Sequence, residues 1–380
     1  MFAFLLLAAL QTPPADIVVT GARLDDAYAE CVARHCSPLR DAQVSIAWAE
    51  RAFRRGDYIA AKRGLAAAVA RNRSSAAVAP RPVAALYEAY GTVTLQEGDL
   101  DAYRGAVGAQ MRTLRDNLPA SDPAVSNAEL ALGDMWMKQG DTRNAQAAYE
   151  RAQQLAITHG QNVTALSAGL RLVTLASAQG RHGEASRLLE GIARSPVAQD
   201  AGVQSIIPAF RLRLAVGRAD KAEIDKQIAA MTRLGSNLRP VLISNPPLEP
   251  VAATAAREQA DKFGDVNQFA MQSTDPSELK WADIGYWIRP DGRTADASIL
   301  RSAGDKSWAS AALDQIAARR YATFAGDAAG QGVYRIERYT LRGSGYGVPK
   351  GSLIRRRMGP MHVEVLDITS IPDVLSTPGS

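Results

Sequence analysis

The chain has 380 residues, 47% of them hydrophobic, with 44 basic against 39 acidic side chains and a formal net charge of +5. That length leaves room for two domains with real cores, and the apolar content is ordinary for a soluble protein. So mild a charge argues against a nucleic-acid binder, which usually shows a clustered basic face; the one dense basic run, Arg355, Arg356 and Arg357 with Lys350 before it, reads first as a solvated loop or strand edge and second as a contact for anionic lipid, wall polymer or nucleic acid.

In residues 1–15 the apolar run is about nine residues, too short to span a bilayer. With the prolines and small residues behind it, it fits a signal for export, although a basic start is missing. A buried apolar helix is the other reading. Export places the chain in the periplasm or elsewhere in the cell envelope, with peripheral membrane association open. Residues 16–40 form a leader with the β-branched stretch Ile17, Val18, Val19 and Thr20, followed by Cys31 and Cys36. In an exported protein two close cysteines most simply form a disulfide. Free thiols, or a metal site recruiting His35, are the alternatives, the latter short of a fourth ligand.

From residue 41 to about 235 the chain is rich in Ala and reads as helices. Gly56, Gly98, Gly140, Gly180 and the weaker Gly217 follow one another at spacings of 42, 42, 40 and 37 residues, each between two helical runs. A fixed period near forty predicts stacked helical hairpins. The third unit is clearest: Leu132, Gly133 and Trp136 on the first helix, Gly140 and Asp141 at the turn, then Ala145, Tyr149 and Ala152. Gly140 suits the left-handed residue that ends a helix, and Ala145 lets the second helix approach the first. Unit one repeats the frame with Trp48, Gly56, Asp57, Tyr58, Ala61 and Leu65, and unit four with Leu172, Gly180, Ala185 and Leu189; in unit two Tyr103 stands where the small residue belongs. These positions resemble the tetratricopeptide repeat, whose units are shorter, at about 34 residues. The resemblance implies an α-α superhelix that binds a protein segment. Trp48, Trp136, Tyr90 and Tyr149 read first as core and second as a ligand platform, while Asn127, Lys138, Arg171 and Gln179 are candidates for a peptide groove.

Pro240, Pro246, Pro247 and Pro250 make 236–274 a linker candidate. Beyond it the period changes. Ile284, Tyr286 and Ile288 alternate as a strand, Asp291 and Gly292 make a hairpin turn, and Ala295 to Leu300 form a second strand. A helix follows, with Ser307 as its cap and Ala311, Ala312, Leu313 and Ile316 on its apolar side. Val333 to Leu341 is a further strand, Met361 to Ile368 is a candidate for another, and the glycines from Gly343 to Gly347 read as a flexible loop. The order of Asp291-Gly292-Arg293, Arg301 to Gly304, Ala311-Ala312-Leu313 and Arg319-Arg320-Tyr321 resembles the C-terminal domain of TonB-type energy transducers. That implies a small β-β-α-β domain of the α+β class over 275–368, with a loose tail at 369–380. The stretch Ile17 to Thr20 is in turn similar to the short box by which outer-membrane receptors reach such a transducer, by adding a strand to an exposed sheet edge. A plain leader is the other reading.

The four histidines have no helix-spaced metal partner, and no nucleophile turn, phosphate loop or dinucleotide fingerprint occurs. No catalytic, metal or cofactor residue is therefore expected. The sequence reads as a non-enzymatic envelope scaffold for a protein or peptide. An accessory of TonB-dependent transport, partnered by the TonB system or an outer-membrane receptor, is the alternative, and an envelope hydrolase with an unrecognised site is the third reading.

Overall fold

The computed structural model describes residues 21–199, 206–248 apart from 219, 234–239 and 241, 277–324 apart from 305 and 307, and 332–369 apart from 349, 350 and 352. The export segment, the stretch Ile17 to Thr20, Ser307 and the tail beyond 369 lie outside the described residues, as does most of 236–274.

Five helical hairpins follow a single leading helix, α1 (Gly21–Arg34). They are α2 (Pro38–Arg54) with α3 (Tyr58–Asn72), α4 (Pro80–Glu97) with α5 (Leu100–Asn117), α6 (Pro123–Lys138) with α7 (Thr142–Thr158), α8 (Asn162–Ala178) with α9 (His182–Ala193), and α10 (Ile206–Gly217) with α11 (Lys221–Arg233). Proline opens α2, α4 and α6, where its missing N–H costs nothing and its fixed φ suits the first turn. Gly56, Gly98, Gly140 and Gly180 end the first helix of their hairpins at φ of +83°, +88°, +75° and +73°. At each, the next residue's amide returns to the carbonyl five residues back: Asp57 to Ala52, Asp99 to Thr94, Asp141 to Trp136 and Arg181 to Ala176. Asp57, Asp99 and Asp141 then cap the second helix by accepting from the amides of Ala60, Ala102 and Asn144. Gly-Asp is thus one device that closes a helix and opens the next. Arg181 in the fourth turn cannot cap, and α9 has no side-chain cap.

Ala61, Ala145 and Ala185 are fully buried where the two helices of a hairpin meet, and Gly133 leaves the space that Tyr149 fills, since a Cβ there would lie 2.3 Å from the Tyr149 ring. The first helices also pack on one another, α2 on α4 and α6 on α8, while no pair of second helices packs to that extent. The first helices of these neighbouring hairpins therefore lie closer to one another than the second helices do. A disulfide joins Cys31 of α1 to Cys36 in the turn before α2, their Cα atoms 4.8 Å apart. His35 takes φ of 52° to reverse the chain between them. So short a covalent loop is worth about 2 kcal/mol by chain entropy. The double variant Cys31→Ser/Cys36→Ser should lose about that much in chemical unfolding, with faster hydrogen exchange confined to α1 and the start of α2; unchanged α1 exchange would refute it.

The C-terminal part holds β1 (Leu242–Ser244), β2 (Lys280–Ile288), β3 (Thr294–Ala303), α12 (Ala309–Ala318), β4 (Arg320–Tyr321), β5 (Val333–Gly347) and β6 (Arg356–Asp367). Four strands form an antiparallel sheet in the order β3-β2-β5-β6, and β1 pairs with β4 apart from it. Ala282, Ile284, Tyr286 and Ile288 of β2 and Tyr339 and Leu341 of β5 face α12, meeting Ala309, Ala312 and Ile316. The Arg-Arg-Tyr motif is explained by its contacts. Arg319 is buried against Glu337 at 2.9 Å and donates to the hydroxyls of Tyr286 and Tyr339, whereas Arg320 is exposed and donates to backbone carbonyls.

Three sequence expectations change. Gly343 to Gly347 is strand, not loop, because β6 supplies a ladder across from it, pairing Gly343 with Met361 and Gly347 with Arg356. Leu242–Ser244, inside the stretch read as linker, is strand because Tyr321 and Arg320 lie opposite it. At the cap position of α12 stands Trp308, which makes no side-chain cap.

Candidate interaction site at the seam between sheet and hairpins

Side chains alternate along a strand, so when Tyr339 and Leu341 face α12, Arg338, Thr340 and Arg342 face the other way. That second face lies on the turns of the first two hairpins, and all three residues are buried there. Arg338 donates to the carbonyls of Phe53 and Arg54, the latter at 2.8 Å, and forks onto Asp283 at 2.6 and 2.9 Å. Its guanidinium lies 4.0 Å from the Trp281 ring centre and 5.0 Å from that of Phe53. Thr340 bonds the Gln96 side chain and the Tyr58 hydroxyl. Arg342 donates to the carbonyls of Gln96 and Leu95 at 2.9 and 2.8 Å, and Arg357 of β6 to that of Glu97 at 2.9 Å. The last carbonyls of α2 and α4 sit at the negative end of the helix dipole; the turn satisfies them only in part, Gly56 donating to Phe53 and Gly98 to Leu95. The sheet supplies both donors and positive charge to them, one buried arginine of β5 for each hairpin.

The second turn adds a charged cluster. Lys62 pairs with Glu97 and Asp99 at 2.8 and 2.9 Å, Arg357 with Glu97 at 2.9 Å and Arg355 with Asp101 at 3.0 Å. Lys62, Arg355 and Arg357 all lie 5.5–5.6 Å from the ring centre of Tyr346, whose hydroxyl donates to Glu97. At the third hairpin the contact passes to β6, where the buried Glu364 pairs with Lys138. The four-stranded sheet reaches no further, while β1 and Ala322 pack on α10 of the fifth hairpin, where Arg213 donates to the Leu242 carbonyl at 2.7 Å. A Cβ on Gly56 would strike Trp281 and one on Gly98 would strike Arg342, but at Gly140 and Gly180 it would meet nothing within 4 Å.

These charges set a pH window. Burial pulls Asp99 upward, but Lys62, the Ala102 amide and Arg355 outweigh it and hold the carboxyl below its ordinary 3.8. For Glu364 burial is again the largest influence, and His362 and Lys138 overcome it, leaving the group below 4.5. A depressed carboxyl contributes stability above its unfolded pKa and loses it as pH falls through the folded value. Burial lowers Lys62, yet Glu97 and Asp99 raise it above 10.5 on balance, so its contribution is full below 10.5 and lost as pH climbs through the folded value. The seam should thus hold between about pH 4.5 and 10.5 and weaken outside those limits. Hydrogen exchange in β5 as a function of pH would check this, and Asp99→Asn should blunt the acid limb. Identical acid limbs in the two proteins would refute it.

The groove candidates all sit on or just beyond first helices, each with an intramolecular partner. Asn127 on α6 accepts from Thr164 on α8, and Arg171 on α8 forks onto Asp134 on α6 at 2.8 Å, which also accepts from Tyr149. Gln179, just past α8, accepts from Arg181. Lys138 alone reaches the sheet. Arg338 and Arg342, which hold the seam, went unrecognised in the sequence. In a strand that alternates, the stripe Arg338, Thr340, Arg342 reads as a solvent face, and its only mark is two arginines opposite Tyr339 and Leu341.

Among the described residues no group of three His, Cys, Asp or Glu could hold a metal ion, and no helix is long and apolar enough to cross a membrane. No protein-family model matches the chain. No curated protein matches it either. Solved structures do. BtubC (BKLC) from P. vanneervenii is 14% identical, with 60% of this chain and 96% of that one covered at a TM-score of 0.44. A Rap protein complexed with competence and sporulation factor is 12% identical over 66% of this chain and 65% of that one, at 0.41. A tetratricopeptide repeat protein from Parabacteroides merdae is 12% identical over 64% and 80%, at 0.40. With TM-scores below 0.5, these likenesses assign neither a relative nor a role.

Proposed function

We propose that this protein is a non-enzymatic scaffold of the cell envelope that holds a segment of another protein on the inner side of its helical hairpins, with the C-terminal sheet as a fixed cap on the first three. The observation that carries this reading is the incomplete coverage of the repeat array. The sheet closes the turns at Gly56 and Gly98, while those at Gly140 and Gly180 stay open and Asn127 and Gln179 stay exposed. The export-like segment at residues 1–15 supports a periplasmic location.

A photo-crosslinking residue at 127 or 179 should capture a defined partner from envelope fractions, and one at Gln154 on α7, a second helix, should not. Equal capture at all three positions, or none, would sink the scaffold reading; recovery of the protein wholly from the cytoplasm would sink the envelope part. A second reading, an accessory of TonB-linked uptake, draws on one feature. Among the described residues β3 is an edge strand of the sheet on the side away from β6, and its side chains alternate between half-buried and exposed. Such an edge suits an added strand. The edge is interrupted by irregular pairing with β2 and by Asp296 at φ of 54°, which shortens the straight part.

A further inference from the structure

Beyond Leu341 the sheet narrows to a ribbon of two strands, in which β5 and β6 pair with each other as far as Gly347 and Arg356. Arg342, Tyr346 and Arg357 fasten the ribbon to the second hairpin. The turn at its end leaves large apolar side chains in water: Val348 is 54% exposed, Leu353 100% and Ile354 63%. A lone exposed apolar residue is ordinary, but several in one projecting turn form a patch. The charge beside them has one sign. No acidic residue occurs between Glu337 and Glu364, while Lys350 and Arg356 lie within a few positions of Leu353. Arg356 is exposed and has no ion pair among the described residues. The carboxylates beside the ribbon, Glu97, Asp99 and Asp101, are taken up by Lys62, Arg104, Arg355 and Arg357.

We propose that this turn is a membrane foot: Val348, Leu353 and Ile354 enter the outer hydrocarbon of an anionic lipid leaflet while Arg356 stays among the phosphates, with Lys350 adding to the positive charge. Nucleic acid or a wall polymer would meet the cations and leave the apolar side chains in water. A stable protein interface buries about 1,000 Å² or more, a large demand on the end of a two-stranded ribbon. A lipid surface needs no matching pocket, only apolar atoms below its headgroups and cations among them. Such a foot gives reversible, salt-sensitive attachment. It goes beyond the scaffold reading and does not depend on it.

The test is co-sedimentation of the full chain with vesicles of phosphatidylcholine, alone or mixed in equal parts with phosphatidylglycerol. The parent should sediment with the mixed vesicles and come off as salt is raised. Leu353→Ser/Ile354→Ser should weaken that binding about tenfold or more. Arg356→Glu should weaken it several-fold. The replaced side chains are exposed, so both variants should keep the parent's Tm. Binding that both variants leave unchanged comes from elsewhere in the chain, residues 1–15 included, and overturns the proposal. So does binding that falls with Arg356→Glu alone, which marks a basic contact for any polyanion. A parent that ignores the mixed vesicles overturns it too, even if the double variant splits a dimer, since the turn is then a contact between copies. All three outcomes leave the crosslinks at 127 and 179 untouched, so the scaffold and the membrane foot fail separately.

Discussion

Replacing Arg338 by Ala is expected to cost about 3–5 kcal/mol of stability, among the largest single losses available in this chain. The side chain is fully buried, as is Asp283, and among the described residues it alone joins that carboxylate to the hairpins. Its removal strips Asp283 of its closest cation, leaving Arg301, which is 38% exposed, as the remaining partner at 2.7 Å. The carbonyls of Phe53 and Arg54 lose charged donors in a place water does not replace, and the rings of Phe53 and Trp281 lose the plane between them. A lost hydrogen bond to a charged group costs more than a neutral one, and a buried carboxylate left short of its partner costs most. Beyond the size of the loss, its form matters. With α2 and the sheet uncoupled, unfolding should separate into two steps, the sheet first and the hairpins later. Arg338→Lys should fall between, since an ammonium keeps the charge but cannot fork onto a carboxylate while reaching two carbonyls. Hydrogen exchange in β5 against denaturant would measure both. A single transition within about 1 kcal/mol of the parent would show that the arginine decorates the seam without holding it.

The hairpins could be read in the sequence because their determinants are local. Glycine needs only its φ, aspartate only the amide three residues ahead, and proline only the first position of a helix. Each acts within a few residues, and the forty-residue period repeats the message at Gly56, Gly98, Gly140 and Gly180. The sheet was legible for the same reason on one face, where Ile284, Tyr286, Tyr339 and Leu341 alternate. The seam was not. Arg338 bonds residues 284 and 285 positions earlier in the chain, and nothing near it in sequence distinguishes an arginine bound for a helix terminus from one bound for water. The burial of β2 on both faces follows from the same long-range fact. The glycines of residues 343–347 misled in the opposite direction: their composition speaks for a loop, but β6 across from them and the fastening of Tyr346 to Glu97 make them strand. Local signals thus revealed both building blocks, and long-range polar contacts, which decide how the blocks meet, stayed silent.

Gly56 tests that distinction directly, because it answers to both kinds of signal at once. Alanine at Gly140 should cost about 1 kcal/mol, the strain of a left-handed residue with open space around its Cβ. Alanine at Gly56 adds a collision to the same strain, since its Cβ would lie 2.2 Å from the Trp281 indole nitrogen. The ring cannot step aside: Trp281 is buried, and the Arg338 guanidinium lies against it. Overpacking of this sort brings the expected loss to about 3 kcal/mol. The two contributions can be separated. In a Trp281→Ala background the collision is gone, so Gly56→Ala should then cost no more than Gly140→Ala, and the cycle should return a coupling of about 1–3 kcal/mol. Equal losses at Gly56 and Gly140 in the parent protein would mean that the sheet does not rest on the first turn in solution. The fixed cap would then be lost.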